Sequence, residues 1–442
     1  MTLGKEPHLM NGNTTESPGL DPATPPHPSD PTVFAVVIAL AMSLVLVFLT
    51  RLPVARPWAM ETDEFGFLDQ IRVHWFPMHH TLFLAAGRLL GMLTGDAYRG
   101  FVVLDMVMSA LALVSLWWWL RALVAPPAAA AGALVMATAP IFWGYGAMAG
   151  NYTAILAVGA FLLGVACRAR TCPEPWHPAA AAVVLALGTG YRQDIGTLWL
   201  PVFLVILWKH RWRPAVLTAL VFAVLNLAWL LAMLHEAGGW SRYRAQTADF
   251  AYHAGYLNSV WNLGLVDAPL RYVVKLGMAL LWTLGPCLLF VPRGILRLRR
   301  RENGGFLIFL LFLSVMPALA SHMLVHFGVP GYAFHYVPAL LALCVLGIGA
   351  IDCESTGEER LSGFPGLIGT APSRLVAMAT LLAALFLFYP TDYDHAGWRG
   401  SFDLSFARLT RVGLRTPIPN RQPALWRTAN SPVSAELAAG RR

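Results

Sequence analysis

Windows of about twenty consecutive apolar residues, each long enough to cross a bilayer as a helix, recur along this chain. Three of them read "VFAVVIALAMSLVLVFL", "FVVLDMVMSALALVSLWWWL" and "YVPALLALCVLGIGA". In lipid the backbone must satisfy its own polar groups, which leaves helices or closed barrels. The alternating strands of a barrel are absent. Charged residues make up only 13% of the 442 positions against 57% hydrophobic ones, about half the charge of a soluble domain. The fold class expected is an all-α polytopic membrane protein.

Hydropathy gives about eleven transmembrane helices, starting near Pro31, Phe101, Ala128, Tyr152, Pro178, Ile195, Pro214, Leu270, Phe306, Tyr332 and Leu375. A twelfth stretch, "HTLFLAAGRLLGMLTG", is short and contains Arg88, so it reads as an interfacial helix in the first outer loop. Residues 1–32 are rich in Pro, Ser, Thr and Asn and read as a disordered cytoplasmic tail without a cleavable signal. The transmembrane domain is expected over 33–390, with outer loops at 51–100 and 235–269. Residues 391–442 read as a polar, irregular extension, placed outside by an odd number of spans.

Orientation follows from the basic residues. With the N-terminus inside, the cytoplasmic loops hold Arg121, Arg168, Arg170, Lys209, Arg211, Arg213, the run Arg293 to Arg301, Arg360 and Arg374. The short loops opposite carry only Arg192, as the positive-inside rule expects. The net charge of +8 is therefore a topological signal and does not call for nucleic acid. Five scattered cysteines form neither a metal motif nor a disulfide framework. Without a nucleotide loop, any chemistry is expected at the outer face of the membrane, read as a bacterial inner membrane from the high Ala, Leu and Arg usage.

Against that background the outer stretch "ETDEFGFLDQ" stands out, with Glu61, Asp63, Glu64 and Asp69 inside nine positions. Glu61 and Asp69 also fit a plain solvated connector. Asp63 and Glu64 precede an amphipathic helix with Phe65, Leu68, Ile71 and Trp75 on one stripe, which would pin them at the bilayer surface. A carboxylate there can take a proton from a hydroxyl or bind a divalent cation. Other polar marks gather on the same side: His79 and His80, then Arg192 and Asp194 in a tight turn. His322, His326, Tyr332, His335 and Tyr336 surround another. Such cations suit a lipid phosphate, although Arg192 can equally pair with Asp194, and each histidine singly fits a packing role. Asp105, an intramembrane acid, is either functional or snorkelling to the interface.

The stretch "TDEFGFLDQIRVHWFPMHHTLFLAAGRLLG", with "GYRQD" and "HFGVPGYAFHYVPAL" later, resembles the GT-C superfamily of membrane glycosyltransferases. Within it, the layout resembles bacterial members of the protein O-mannosyltransferase and lipid A aminoarabinose transferase type. Two departures stand out: the Pro-Pro turn of those proteins is "PMHH" here, and Asn151 replaces an acid before Tyr152. The second takes away an acidic ligand that a metal site of the oligosaccharyltransferase kind would use. No cofactor follows from these residues, and a divalent cation, Mg or Mn, is the one left open.

The resemblance implies transfer of a hexose or pentose from a polyprenyl-phosphate donor to a glycan, lipid or protein hydroxyl, inverting the anomeric carbon. Asp63 would be the general base, with Glu64 positioning it or acting in its place. Arg192, with His79, His80 or His335, would hold the donor phosphate, supported by Asp194, Asp105, Tyr332 and Tyr336. The rival readings are a lipid-linked glycan ligase, favoured by Arg242 and Arg244 in the loop 235–269, and a transporter or flippase. No internal repeat of the transporter kind is visible.

Overall fold

The computed structural model of the chain describes residues 33–52, 55, 62–74, 76, 79–171, 176–210, 212–354 and 370–388. The side chains at 62–65, 73, 171, 253–254, 350–354 and 385–388 lie outside the described residues, as do the expected tail 1–32 and extension 391–442.

The described residues form helices and no strands. In chain order these are α1 (Val33–Arg51), α2 (Thr62–Val73), α3 (Thr81–Thr94), α4 (Ala97–Leu120), α5 (Pro126–Ala137) and α6 (Pro140–Tyr145). Next come α7 (Thr153–Thr171), α8 (Trp176–Tyr191), α9 (Gln193–Lys209), α10 (Trp212–Glu236), α11 (Trp240–Phe250) and α12 (Val260–Leu263). The last are α13 (Asp267–Leu284), α14 (Val291–Arg299), α15 (Gly304–Leu324), α16 (Val337–Glu354) and α17 (Ala371–Phe388). Among the described residues six stretches are long and apolar enough to cross a membrane: α1, α4, α7, α10, α15 and the run Asp267–Arg299. The chain is an integral membrane protein.

Burial sorts these helices into centre and rim. The apolar window of α7 is 83% buried inside the protein, against 6% for α1 and 11% for α10. So α7 is the core, packed on α4, while α1 and α10 turn apolar side chains outward, as a lipid-facing helix must. Indole Nε1 of Trp119 on α4 donates to the Pro338 carbonyl at the start of α16 (3.1 Å), joining early and late halves of the chain.

Local sequence explains two features. Helices α3 and α4 cross at backbone contact because the crossing is made of glycine: a Cβ on Gly100 would lie 2.3 Å from the Gly91 nitrogen and 2.5 Å from the Gly87 oxygen. The expected span near Ala128 is only the 12 residues of α5. It stops at Thr138, just before Pro140 opens α6, since proline cannot continue the preceding helix.

Helix α2 buries Ile71 and half-buries Leu68 of the expected stripe, and adds Phe67 to them. Phe67 and Ile71, one turn apart, are its buried residues. The Phe67 ring meets Phe83 edge-on at 5.1 Å and Phe101 at 6.1 Å. The apolar face of α2 therefore packs on α3 and α4, and protein contact fixes its rotation. Phe65 and Trp75 of the expected stripe have side chains outside the described residues.

Candidate functional site

Polar groups converge where α8 turns into α9. Arg192 is the one-residue turn between them, in extended backbone (φ −157°, ψ 113°), and is 4% exposed. Its Nε donates to the Asp194 carboxylate at 2.9–3.0 Å. Its Nη1 donates to Oδ1 of Asn151 at 2.6 Å. The guanidinium plane lies over two rings, Tyr152 at 4.2 Å and Tyr332 at 4.9 Å. Those rings contribute by cation–π attraction, which strengthens as water is excluded. An arginine so held has one orientation, its charge paired among the described residues with Asp194.

Asn151 was read from sequence as a missing acid, and the structure gives it another part. It sits in the left-handed region (φ 48°), which asparagine tolerates better than most residues. A buried carboxylate shapes that turn. Asp105, on α4, is 0% exposed and accepts from the Gly150 N–H (2.7 Å), the Asn151 N–H (3.2 Å) and the Thr153 hydroxyl (3.3 Å). It does not snorkel: it is the acceptor around which residues 150–153 fold, each such hydrogen bond contributing about 0.5–1.5 kcal/mol. On the other side of this turn lies Arg51, 1% exposed, donating through Nη2 to the Ala137 carbonyl (2.7 Å). Gly146 separates it from Ser109: a Cβ there would meet Ser109 Oγ at 2.6 Å and Arg51 Nε at 3.2 Å.

His335 is fully buried at the end of the 3-10 helix Pro330–His335. Its Nδ1 takes the Trp199 indole N–H (3.2 Å), and its Nε2 lies 3.6 Å from Asp194. Indole can only donate, so Nδ1 carries the lone pair and Nε2 carries the proton, aimed at Asp194. Burial is the main influence on this ring and lowers its pKa, so it is neutral at physiological pH. Both nitrogens are thus turned to protein groups. His322 adds a further link, its Nδ1 lying 2.8 Å from the Tyr336 hydroxyl, and its ring 5.6 Å from that of His335.

His79 and His80 connect this cluster to the two outer loops expected from sequence. His80 caps α3 in the left-handed region (φ 57°) and meets Phe67 edge-on at 5.7 Å. Burial, then the charge of Arg192, lowers its pKa to about 3. His79 packs at a tilt against the ring of Phe250 on α11, 4.1 Å between centroids, and its pKa is also lowered by burial. Close by, the Phe76 N–H donates to Glu236 (2.9 Å), so the segment before α3 is tied to the end of α10. Arg242 and Arg244 are exposed on α11.

Asp63 and Glu64 stand in the first turn of α2, one turn before Phe67 and Leu68. Their side chains lie outside the described residues. Among the described residues no group of three or more His, Cys, Asp or Glu side chains could hold a metal ion. Cys167, Cys287 and Cys344 are buried free thiols. Sequence reading passed over Asn151, Trp199 and Arg51 as site residues, because their partners lie on other helices and leave no local pattern.

No family model matches this chain, and no curated protein does. Solved structures do. ArnT from Cupriavidus metallidurans in the apo state aligns with a TM-score of 0.50 at 13% identity, over 79% of this chain and 68% of its own. The oligosaccharyltransferase of Archaeoglobus fulgidus aligns in its apo form with a TM-score of 0.48 at 12% identity, over 86% of this chain and 56% of its own. Its complex with Zn and sulfate gives 0.46 at 14%, over 79% and 53%. The chain spans about half the length of that archaeal protein. At these identities the likeness is one of fold alone: the chain shares the all-helical architecture of that ArnT structure.

Proposed function

We propose that this protein is a membrane glycosyltransferase, moving a sugar from a polyprenyl-phosphate donor to an acceptor hydroxyl at the outer face of a bacterial inner membrane. The observation that carries this reading is the Arg192 cluster. A buried guanidinium, oriented by Asp194 and Asn151 and walled by two tyrosines, lies at the same end of the bundle as the helix bearing Asp63. His80 joins the two, touching Phe67 of α2 and lying within range of the Arg192 and Asp194 charges.

In the proposed reaction, Asp63 takes the proton from the acceptor hydroxyl as its oxygen attacks the anomeric carbon. The bond from that carbon to the phosphate oxygen breaks, the configuration inverts, and the polyprenyl phosphate leaves with the electron pair. Glu64 orients Asp63 or replaces it. Arg192 stabilises the charge growing on the phosphate, an oriented donor that needs no reorganisation at the moment of reaction. His79 and His80, both neutral, offer N–H donors beside it. His335 is a positioning residue, acting through Asp194, and Tyr332 keeps the guanidinium in plane.

The test uses the purified full chain in lipid with a panel of labelled polyprenyl-phosphate sugars, following release of lipid phosphate. Release with one donor, dependent on an added acceptor, supports transfer. Silence across the panel rejects it and turns attention to the lipid-linked glycan ligase, whose donors carry a diphosphate.

A further inference from the structure

The opposite end of the bundle carries a second concentration of charge that the proposed reaction does not use. Helix α9 starts beside Arg192 and runs for 17 residues, about 25 Å, to Lys209. Helix α7 starts beside Asn151 and ends at Arg168 and Arg170. At that far end Arg170 and Lys209, from two different helices, converge on one ring: the Arg170 guanidinium lies 4.8 Å and the Lys209 ammonium 5.5 Å from the centroid of Phe306. Phe306 is in the first turn of α15, whose N-terminal amides add positive potential.

More cations close in. Arg168, Arg170 and Arg301 all lie near enough to Cys167 for their charges to act on its thiol. Arg301, between α14 and α15, has its pKa lowered by burial and then by Arg297. Arg168 is spent on the protein, donating to the Trp118 carbonyl at 2.8 Å with its guanidinium 3.9 Å over that ring. Arg170 and Lys209 are exposed, and no described carboxylate forms an ion pair with either. The side chains of Asp352 and Glu354, at the end of α16, lie outside the described residues. Like charges drawn to one ring repel, and an anion between them offsets that repulsion. Just below them, α9 and α15 leave Leu200, Leu204, Trp208, Phe309 and Phe312 exposed, an apolar wall at the depth of acyl chains.

We infer that this end holds an anionic phospholipid of the adjoining leaflet, its phosphate between Arg170 and Lys209 and its chains along the α9–α15 surface. Charge complementarity and the apolar wall together select a lipid, and basic pockets between membrane helices commonly take such headgroups. The site is independent of the proposed transfer reaction.

The experiment follows thermal unfolding of the full chain in phosphatidylcholine nanodiscs with increasing phosphatidylglycerol. The wild type is expected to gain several degrees in Tm, and the Arg170→Gln/Lys209→Gln pair to lose most of that gain. Arg299→Gln/Arg300→Gln removes the same charge from exposed arginines at the same end and is expected to keep it. The swap Arg170→Lys/Lys209→Arg, which preserves charge, is expected to keep it too. Equal loss in both Gln pairs would mean a diffuse surface charge and overturn the site, as would no gain in the wild type. A gain reproduced in detergent by millimolar inorganic phosphate alone would replace the lipid with a free anion and overturn the inference.

Discussion

His335 and Trp199 share one hydrogen bond, indole N–H to imidazole Nδ1 at 3.2 Å, and that bond decides which ring nitrogen faces Asp194. Trp199→Phe removes the donor and leaves Nδ1 buried without a partner, which costs about 1–3 kcal/mol. It also frees the ring to hold its proton on either nitrogen. The expected result is a lower Tm, together with a fall in kcat larger than any change in KM. A purely structural tryptophan would lower Tm and leave kcat of the folded protein unchanged.

Asp105 is expected to behave as the anchor of the Asn151 turn. Asp105→Asn is nearly isosteric, yet it sets an amide donor against N–H and O–H donors. Leaving buried donors of this turn without an acceptor is expected to cost about 1–3 kcal/mol. Because Asn151 holds Arg192, donor turnover is expected to fall with stability. An unchanged Tm in a detergent melt would contradict the anchoring role.

The buried histidines set a pH dependence. With its pKa at about 3, His80 stays neutral in the folded protein while the unfolded chain takes up a proton below the usual value of about 6.5. Stability is then fully present above about pH 6.5 and declines as pH falls toward 3. His79 and His335, both lowered by burial, act in the same direction. Tm measured from about pH 7 to 4.5 is expected to fall less steeply in His80→Asn, since asparagine accepts the left-handed backbone and does not titrate. Parallel curves would show that His80 is not among the groups responsible.

The α3–α4 crossing gives a steric prediction with its own control. Gly100→Ala puts a Cβ 2.3 Å from the Gly91 nitrogen, where only backbone movement can relieve the clash. A cost of about 1–3 kcal/mol or more is expected. Gly66→Ala, on α2 with nothing within 4 Å of its Cβ, is expected to hold or raise Tm, as a helical glycine gives way to alanine. Equal Tm changes would mean that the crossing is looser than described.

Much of the fold was legible because hydropathy is local: each expected span start falls within or just before a helix. What sequence could not give was rotation and partnership. Phe67 and Ile71 face inward since Phe83 and Phe101 come from α3 and α4 to meet them, a fact absent from the α2 stretch itself. Likewise Asn151 looked like a lost acid until Arg192, 41 positions later, was seen to bond it. Asp105 looked ambiguous for the same reason, since donors that it accepts from in the 150–153 turn lie 45 to 48 positions away. Arg192 with Asp194 was readable because the partners are two residues apart.

The central claim is that Asp63 is the base of a sugar-transfer site whose phosphate end is Arg192. The most direct measurement compares lipid-phosphate release from a labelled polyprenyl-phosphate sugar by the wild type and by Asp63→Asn, at matched Tm. Loss of a general base predicts a fall of about a hundred- to ten-thousand-fold with folding intact. Release at the wild-type rate in Asp63→Asn would contradict the account.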